Sequence, residues 1–169
     1  YGTIDVLVNV AGIAPQGTVE TLTEEEWNEV FAVNVRSIFL FSKYVVPIMR
    51  QNGGGSIVNI GSTAGTVGAW NLHAYSSSKG AVIQLSKSMA AEYGKDCIRV
   101  NTLCPGGTLT PMMKELEGEE GLKQFAALFP LGRLAEPNEI ANTALFLASD
   151  EASFISGAVL LADGGFTAV

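Results

Sequence analysis

The sequence predicts an α/β fold, a doubly wound parallel sheet of which only the second, C-terminal half is written in this chain. Three observations carry that reading. Short continuous apolar runs alternate with long stretches of helical period, in the order strand, helix, strand, helix, strand, helix, strand, which parallel strands joined by right-handed crossovers produce. The apolar runs end in Gly- or Pro-containing turns, and open parallel sheets bind ligands at that strand edge. The Gly-rich phosphate turn of a first half is missing, because neither Gly53-Gly54-Gly55 nor Gly164-Gly165 has the strand-turn-helix setting it needs.

Residues 5–9 form a continuous apolar run ending at Ala11-Gly12, as expected of a central strand buried on both faces. Thr23 followed by Glu24, Glu25 and Glu26 supplies an N-cap and an acidic first turn. Trp27, Val30, Phe31 and Asn34 then recur at helical spacing, and the pattern runs, with a break near Asn34, to Arg50. Gly53-Gly54-Gly55 stops it. Residues 56–60 read as the second strand and 61–71 as a turn-rich loop. A long helix follows over 73–93, where Ala74, Ala81, Leu85, Met89 and Ala90 keep a period near 3.6, and it ends at Gly94. Residues 99–103 form the third strand and lead into Cys104-Pro105-Gly106. The stretch 107–130 is polar, rich in Gly and Glu and weakly patterned, and it reads as a long loop of the kind that forms lids. Pro137 opens a last helix to 149, residues 156–162 form the last strand, and Asp163-Gly164-Gly165 is a tight turn.

A chain of 169 residues with 47% hydrophobic content is read as one domain, residues 1–169, with ample material for a core. The net charge of −7, with ten scattered Lys and Arg, argues against a nucleic-acid partner and for a small molecule. Cys97 and Cys104 make neither a disulfide framework nor a metal set, so both are expected as reduced core residues and no metal is expected. No charged leader and no apolar run of about 18 residues is found, so the expectation is a cytoplasmic protein without a membrane partner. Tyr1-Gly2-Thr3 leads straight into a strand with no initiator Met, which reads as the middle of a fold.

The densest chemistry lies at Ser62, Tyr75 and Lys79. Residues four apart stack on one helix face, so Lys79 can sit beneath the Tyr75 phenol and favour its ionised form. A free phenol titrates near ~10 and is a poor acid or base at neutral pH. Ser62 ends the second strand and holds its hydroxyl at the ligand edge. His73, two residues before Tyr75, is expected in a loop or cap role. Trp70, Phe125 and Phe129 are open between a substrate-facing lid and simple packing.

The order of these motifs resembles the short-chain dehydrogenase/reductase family, a Rossmann-like fold, over essentially the whole chain. Asn9, Ala11 and Gly12 match its Asn-Asn-Ala-Gly segment, with Val10 in place of the second Asn and one side-chain hydrogen bond lost there. Ser62, Tyr75 and Lys79 match its Ser and Tyr-x-x-x-Lys set, and Asn34 its helix-borne Asn. The resemblance implies that the phenol trades a proton with a substrate oxygen while NAD or NADP trades a hydride with the same carbon. Ser62 is then the donor to that oxygen, Lys79 tunes Tyr75 and holds ribose hydroxyls, and Asn34 anchors a water behind Lys79. Asn9, Ala11 and Gly12 would line the adenosine ribose. Pro105, Gly106, Thr108 and Thr110 match the turn that passes the nicotinamide carboxamide, with Gly allowing close approach and Thr110 the side-chain partner.

The ending from Leu131 to Gly165 looks most like the branch holding 3-oxoacyl carrier-protein reductases and small alcohol and sugar dehydrogenases. The implied activity interconverts a secondary alcohol and a ketone. A second reading is a catalytically inactive fragment or oligomerisation module without the cofactor phosphate site. Relatives pair through their two long helices, and Phe39, Phe41, Val46, Ile83 and Leu85 spread around both here, so the resemblance implies a homotetramer.

Overall fold

The computed structural model describes residues 2–169 apart from the side chains at 117 and 119, so the expected opening at Tyr1 lies outside the described residues. Four parallel strands, β1 (Val6–Asn9), β2 (Gly55–Ile60), β3 (Ile98–Pro105) and β4 (Val159–Ala162), form one sheet in the order β1-β2-β3-β4. The register aligns Asn9 with Asn59 and Asn59 with Thr102, so these three lie in one row across the sheet. Ile60 likewise aligns with Leu103, which brings the turns after β2 and β3 side by side.

The expectation for β1 is corrected. It is an edge strand here, pairing with β2 alone among the described residues, and Val6 and Val8 are 44% and 39% exposed. Its apolar run carries the composition of a strand covered on both faces, and this chain covers one.

Between β1 and β2 runs one continuous helical segment: α1 (Glu24–Phe31), a π turn (Ala32–Arg36) and α2 (Ser37–Gln51). Thr23 and Glu26 close a reciprocal capping box at its start, as the sequence indicated. The predicted break near Asn34 is the π turn. Its wider winding keeps Asn34 on the buried stripe that also holds Val30, Ile38, Ser42, Val45 and Met49. The helical segment Glu24–Gln51 is long enough, and through an 18-residue window of mean hydropathy 1.3 apolar enough, to cross a membrane by length and composition. In the structure that stripe packs on the sheet.

The helix α3 (His73–Tyr93) returns over the same face, and α2 and α3 share a core with Ile57, Ile98 and Val100. The opposite face holds Val58 and Leu103 against Leu147 of α5 (Pro137–Ala148). Because the strand order advances in one direction throughout, a change of face is a change of crossover hand. The expectation of one shared hand therefore fails at the last connection, which is long, contains two helices and escapes the constraint on a short βαβ unit.

The segment 107–130, expected as a loop, contains α4 (Pro111–Ala126). Thr110 caps it by accepting from the Met113 amide at 3.3 Å, and Pro111 occupies its first turn. Gly118, at φ 66, breaks its winding. A mostly exposed, interrupted helix carries little hydrophobic periodicity, which hid it in the sequence.

Candidate active site

Ser62 leaves β2 in extended conformation and caps a single 3-10 turn, Thr63–Gly65, its Oγ accepting from the Ala64 amide at 3.1 Å. Gly61 permits this path: a Cβ there would stand 2.6 Å from the Cys104 sulfur on β3. The turn then rests on α3, where a Cβ on Gly65 would meet the Lys79 backbone at 2.7 Å. Two glycines thus press the Ser62 loop between β3 and the helix that carries Tyr75 and Lys79.

Lys79 is buried at 3% exposure, with Nζ 5.5 Å from the centre of the Tyr75 ring and donating to the Ile60 carbonyl at 2.8 Å. Asn34 faces the same spot from the π turn. Its Oδ1 accepts from the Ile13 amide at 2.8 Å, and its Nδ2 donates to the Ile13 carbonyl at 3.0 Å and to Ser78 Oγ at 2.9 Å. Ser78 Oγ in turn donates to the Tyr75 carbonyl at 2.7 Å. The point where a side chain on Gly12 would begin lies 3.4 Å from both Asn34 Oδ1 and Lys79 Nζ. The structure therefore gathers Gly12, Asn34, Ser62, Tyr75 and Lys79 at the carboxyl ends of β1 and β2.

The electrostatics differ from the expectation. Burial pushes the Tyr75 phenol above its ordinary 10, the neighbouring Ser62 hydroxyl pulls it back, and Lys79 is not among the groups that move it. Burial also lowers Lys79 to about 8. The expected depression of the phenol by Lys79 is thus corrected for the protein alone: the ammonium sits over the ring, where it acts through the aromatic quadrupole, and desolvation of the phenolate outweighs it.

The turn after β3 stands beside this cluster, and its glycines are closely packed on one side. A Cβ on Gly106 would strike the Phe129 ring at 2.8 Å and the Asp163 backbone at 2.9 Å, and one on Gly107 would strike Leu134 and Phe125. On the side where a Cβ would stand, they admit the packed aromatic pair Phe125–Phe129. Thr108 gives its hydroxyl proton to the Gly106 carbonyl at 3.2 Å, while Thr110 caps α4. Pro105 is the last residue of β3, in register with Ala162 of β4.

A family model described as enoyl-(acyl carrier protein) reductase matches residues 1–167. The chain is 46% identical to a trans-4-hydroxycyclohexanecarboxylate dehydrogenase of Sinomonas cyclohexanicum, over 99% of this chain and 62% of that protein. It is 43% identical to an inactive 2-(S)-hydroxypropyl-CoM dehydrogenase 2 of Xanthobacter autotrophicus, over 99% of this chain and 75% of that one. Among solved structures it superposes on ligand-free aldohexose dehydrogenase of Thermoplasma acidophilum with TM-score 0.96 and 36% identity, over 100% of this chain and 70% of that one. It superposes on a gluconate 5-dehydrogenase of Burkholderia cenocepacia in complex with NADP and tartrate with TM-score 0.95 and 31% identity, over 99% and 66%.

The chain belongs to the short-chain dehydrogenase/reductase family.

Membership places the chain in a class of NAD(P)-dependent dehydrogenases and reductases, and the chain spans between 62% and 75% of the curated relatives named above. The residues present fit a dinucleotide. Gly12 leaves clear the space that a side chain would take in front of Lys79, and Lys79 has two N–H groups beyond the one given to Ile60, enough for a pair of ribose hydroxyls. Asn9 donates to Asn59 at 2.7 Å and keeps its Oδ1 without a partner among the described residues. Val10, next in the chain, is 65% exposed.

Sequence reading missed Gly61, Gly65 and Ser78 as supports of the site. Ser78 carried a faint signal, sitting inside Tyr-x-x-x-Lys; the two glycines carried none. His73 has the expected loop role, its Nδ1 accepting from the Val19 amide at 3.0 Å. Cys104 is buried and reduced as expected, whereas Cys97 is exposed, in a left-handed conformation at φ 58. Trp70 is 97% exposed and Phe129 is buried.

Proposed function

We propose that the protein interconverts a secondary alcohol and its ketone with NAD or NADP, and that Tyr75 moves the proton. The observation that carries this is the convergence of Ser62, Tyr75 and buried Lys79 at one strand edge, with Asn34 behind them. Buried polar groups so arranged are expensive for a fold that needs only a core, and they match acid–base chemistry at a polarised oxygen. In this reading the Ser62 hydroxyl donates to the substrate oxygen, and the Tyr75 hydroxyl gives that oxygen its proton or takes it back. Lys79 holds the ribose hydroxyls with its free N–H groups and sits as a cation over the Tyr75 ring. Asn34 fixes the Gly12–Ile13 backbone beside Lys79. Bound dinucleotide supplies or accepts the hydride. Gly12, Asn9 and Ala11 line its adenosine ribose, and Pro105, Gly106, Thr108 and Thr110 pass its carboxamide: Thr108 through its backbone, its hydroxyl proton being given to Gly106, and Thr110 through a hydroxyl that accepts from Met113 and keeps its proton to donate.

Tyr75→Phe tests the proposal. Turnover is expected to fall by about 10²-fold or more, with cofactor affinity within a factor of about two; retained turnover refutes the role given to the phenol.

A second reading has its own support. One relative is named inactive, the chain covers 62% of another, and β1 leaves Val6 and Val8 exposed. In that reading the chain binds no dinucleotide by itself and serves as an assembly module. Titration of the purified chain with NADH and NADPH separates the two, because saturable micromolar binding rules out the module. For the assembled state the reading is a homotetramer, with Phe39, Phe41 and Tyr44 of α2 exposed for contact. Val46 and Ile83, expected on such a surface, belong to the core.

A further inference from the structure

A buried polar chain crosses from the edge strand to the middle of α3. Asn9 Nδ2 donates to Asn59 Oδ1 at 2.7 Å, Asn59 Nδ2 to Ser86 Oγ at 2.9 Å, and Ser86 Oγ to the Val82 carbonyl at 2.7 Å. Asn59 and Ser86 are 0% and 1% exposed. Nothing in the proposed chemistry uses either residue, and an apolar pair of similar shape would fill the space with little loss of stability.

The direction of this chain is fixed from its buried end. The Val82 carbonyl can only accept, and the Ser86 hydroxyl has one proton, so once that proton is given to Val82 the oxygen can only accept from Asn59. Asn59 must then turn Nδ2 toward Ser86 and Oδ1 toward β1. Asn9 meets that oxygen with Nδ2 and presents its own Oδ1 outward. A backbone carbonyl three links away thus decides the orientation of the Asn9 amide. Thr102, next in the same row of the sheet, has a buried hydroxyl with no partner, so it does not pull Asn59 the other way.

We infer that Asn59 and Ser86 are positioning residues that polarise Asn9, so that the ligand edge of β1 presents an acceptor for a hydroxyl donor such as a ribose hydroxyl. This deepens the functional reading above and rests on it for the identity of the ligand. The same helix holds the end of β2 twice, through Ser86 to the Asn59 side chain and through Lys79 to the Ile60 carbonyl, so the acceptor and the lysine are set from one rigid element.

Three measurements test it. In the native chain, NMR exchange of the Asn9 side-chain amide protons should be at least about 10-fold slower than in an exposed asparagine. Fast exchange overturns the inference with no variant made. Ser86→Ala should raise that exchange about 10-fold, and Ser86→Thr, which keeps the hydroxyl, should restore protection; an unchanged rate in Ser86→Ala overturns it. In turnover assays Ser86→Ala should raise KM for the dinucleotide about 10-fold with kcat within about twofold, and Ser86→Thr should return KM. A matching loss in kcat would mark a merely structural residue and overturn the positioning role. The exchange arm needs no activity, so it still decides the relay if Tyr75→Phe shows the functional reading to be wrong.

Discussion

Gly65 lies flat on the backbone of Lys79: a methyl group on it would stand 2.7 Å from the Lys79 carbonyl carbon and 2.9 Å from the Gly80 amide nitrogen. The contact fixes the distance between the loop of Ser62 and the helix of Tyr75 and Lys79. Gly65→Ala must therefore push the loop off α3, since neither partner is a flexible side-chain end. We expect a loss of about 1–3 kcal/mol in denaturant unfolding and at least about a tenfold fall in kcat. Gly80→Ala is the matched control. Its Cβ would sit at an ordinary 3.6 Å from the Gly65 carbonyl, and alanine is better than glycine inside a helix by up to about 1 kcal/mol, so it should be neutral or stabilising.

Lys79 sets the alkaline side of stability. Its folded value of about 8 lies below the ordinary 10.5, so between these pH values the unfolded chain binds a proton that the folded one does not, and stability rises with pH. The penalty of burying the ammonium is fully present below pH 8, and its removal is worth on the order of 3 kcal/mol. Above pH 10 the raised Tyr75 acts in reverse and stability falls. Urea unfolding from pH 7 to 9, below the range where the raised Cys104 and Tyr75 act in reverse, should show a rise in the native chain that Lys79→Met lacks; equal slopes would remove Lys79 as its source.

Glu139 contributes on the acid side, within the small amount a solvent-screened surface pair supplies. It takes a two-pronged bond from Arg133 at 2.7 Å on each arm and accepts from the Glu136 amide, and these hold its carboxyl down at about 2. A depressed carboxyl contributes stability that is present above its ordinary 4.5 and is lost as pH falls toward 2. Thermal melts over that window should drop in the native chain and drop less in Glu139→Gln. The same variant should loosen the start of α5, where the bond to Glu136 closes the cap.

Phe39, Phe41 and Tyr44 expose 52%, 60% and 68% of their surface on α2. Phe41 and Tyr44 lie near one another on the helix and Phe39 lies on its other flank, and exposed apolar groups of this size are what the proposed assembly would cover. Light scattering should find an assembly larger than the monomer, and Phe41→Glu should dissociate it while leaving the circular dichroism unchanged; a monomeric native protein would end the tetramer proposal.

Much was legible in the sequence because it depends on local chemistry and period. The capping box at Thr23 and Glu26, the alternation of strands and helices, and the four-residue step from Tyr75 to Lys79 each follow from neighbours along the chain. Helix α4 escaped because Gly118 interrupts it and few of its residues are buried, so periodicity had nothing to record. The face on which α5 packs escaped because strand order alone does not fix a long crossover.

By itself, then, the sequence determined which groups could do chemistry and that they would reach one edge of a parallel sheet. Only the tertiary structure decided their state. Whether Lys79 lowers the Tyr75 phenol or burial raises it depends on how much water the packed helix and loop exclude, and the close packing of Gly106 and Gly107 depends on the Phe129 ring, contributed from more than twenty residues away. Desolvation and close packing are sums over neighbours distant in the chain, so no spacing along it contains them.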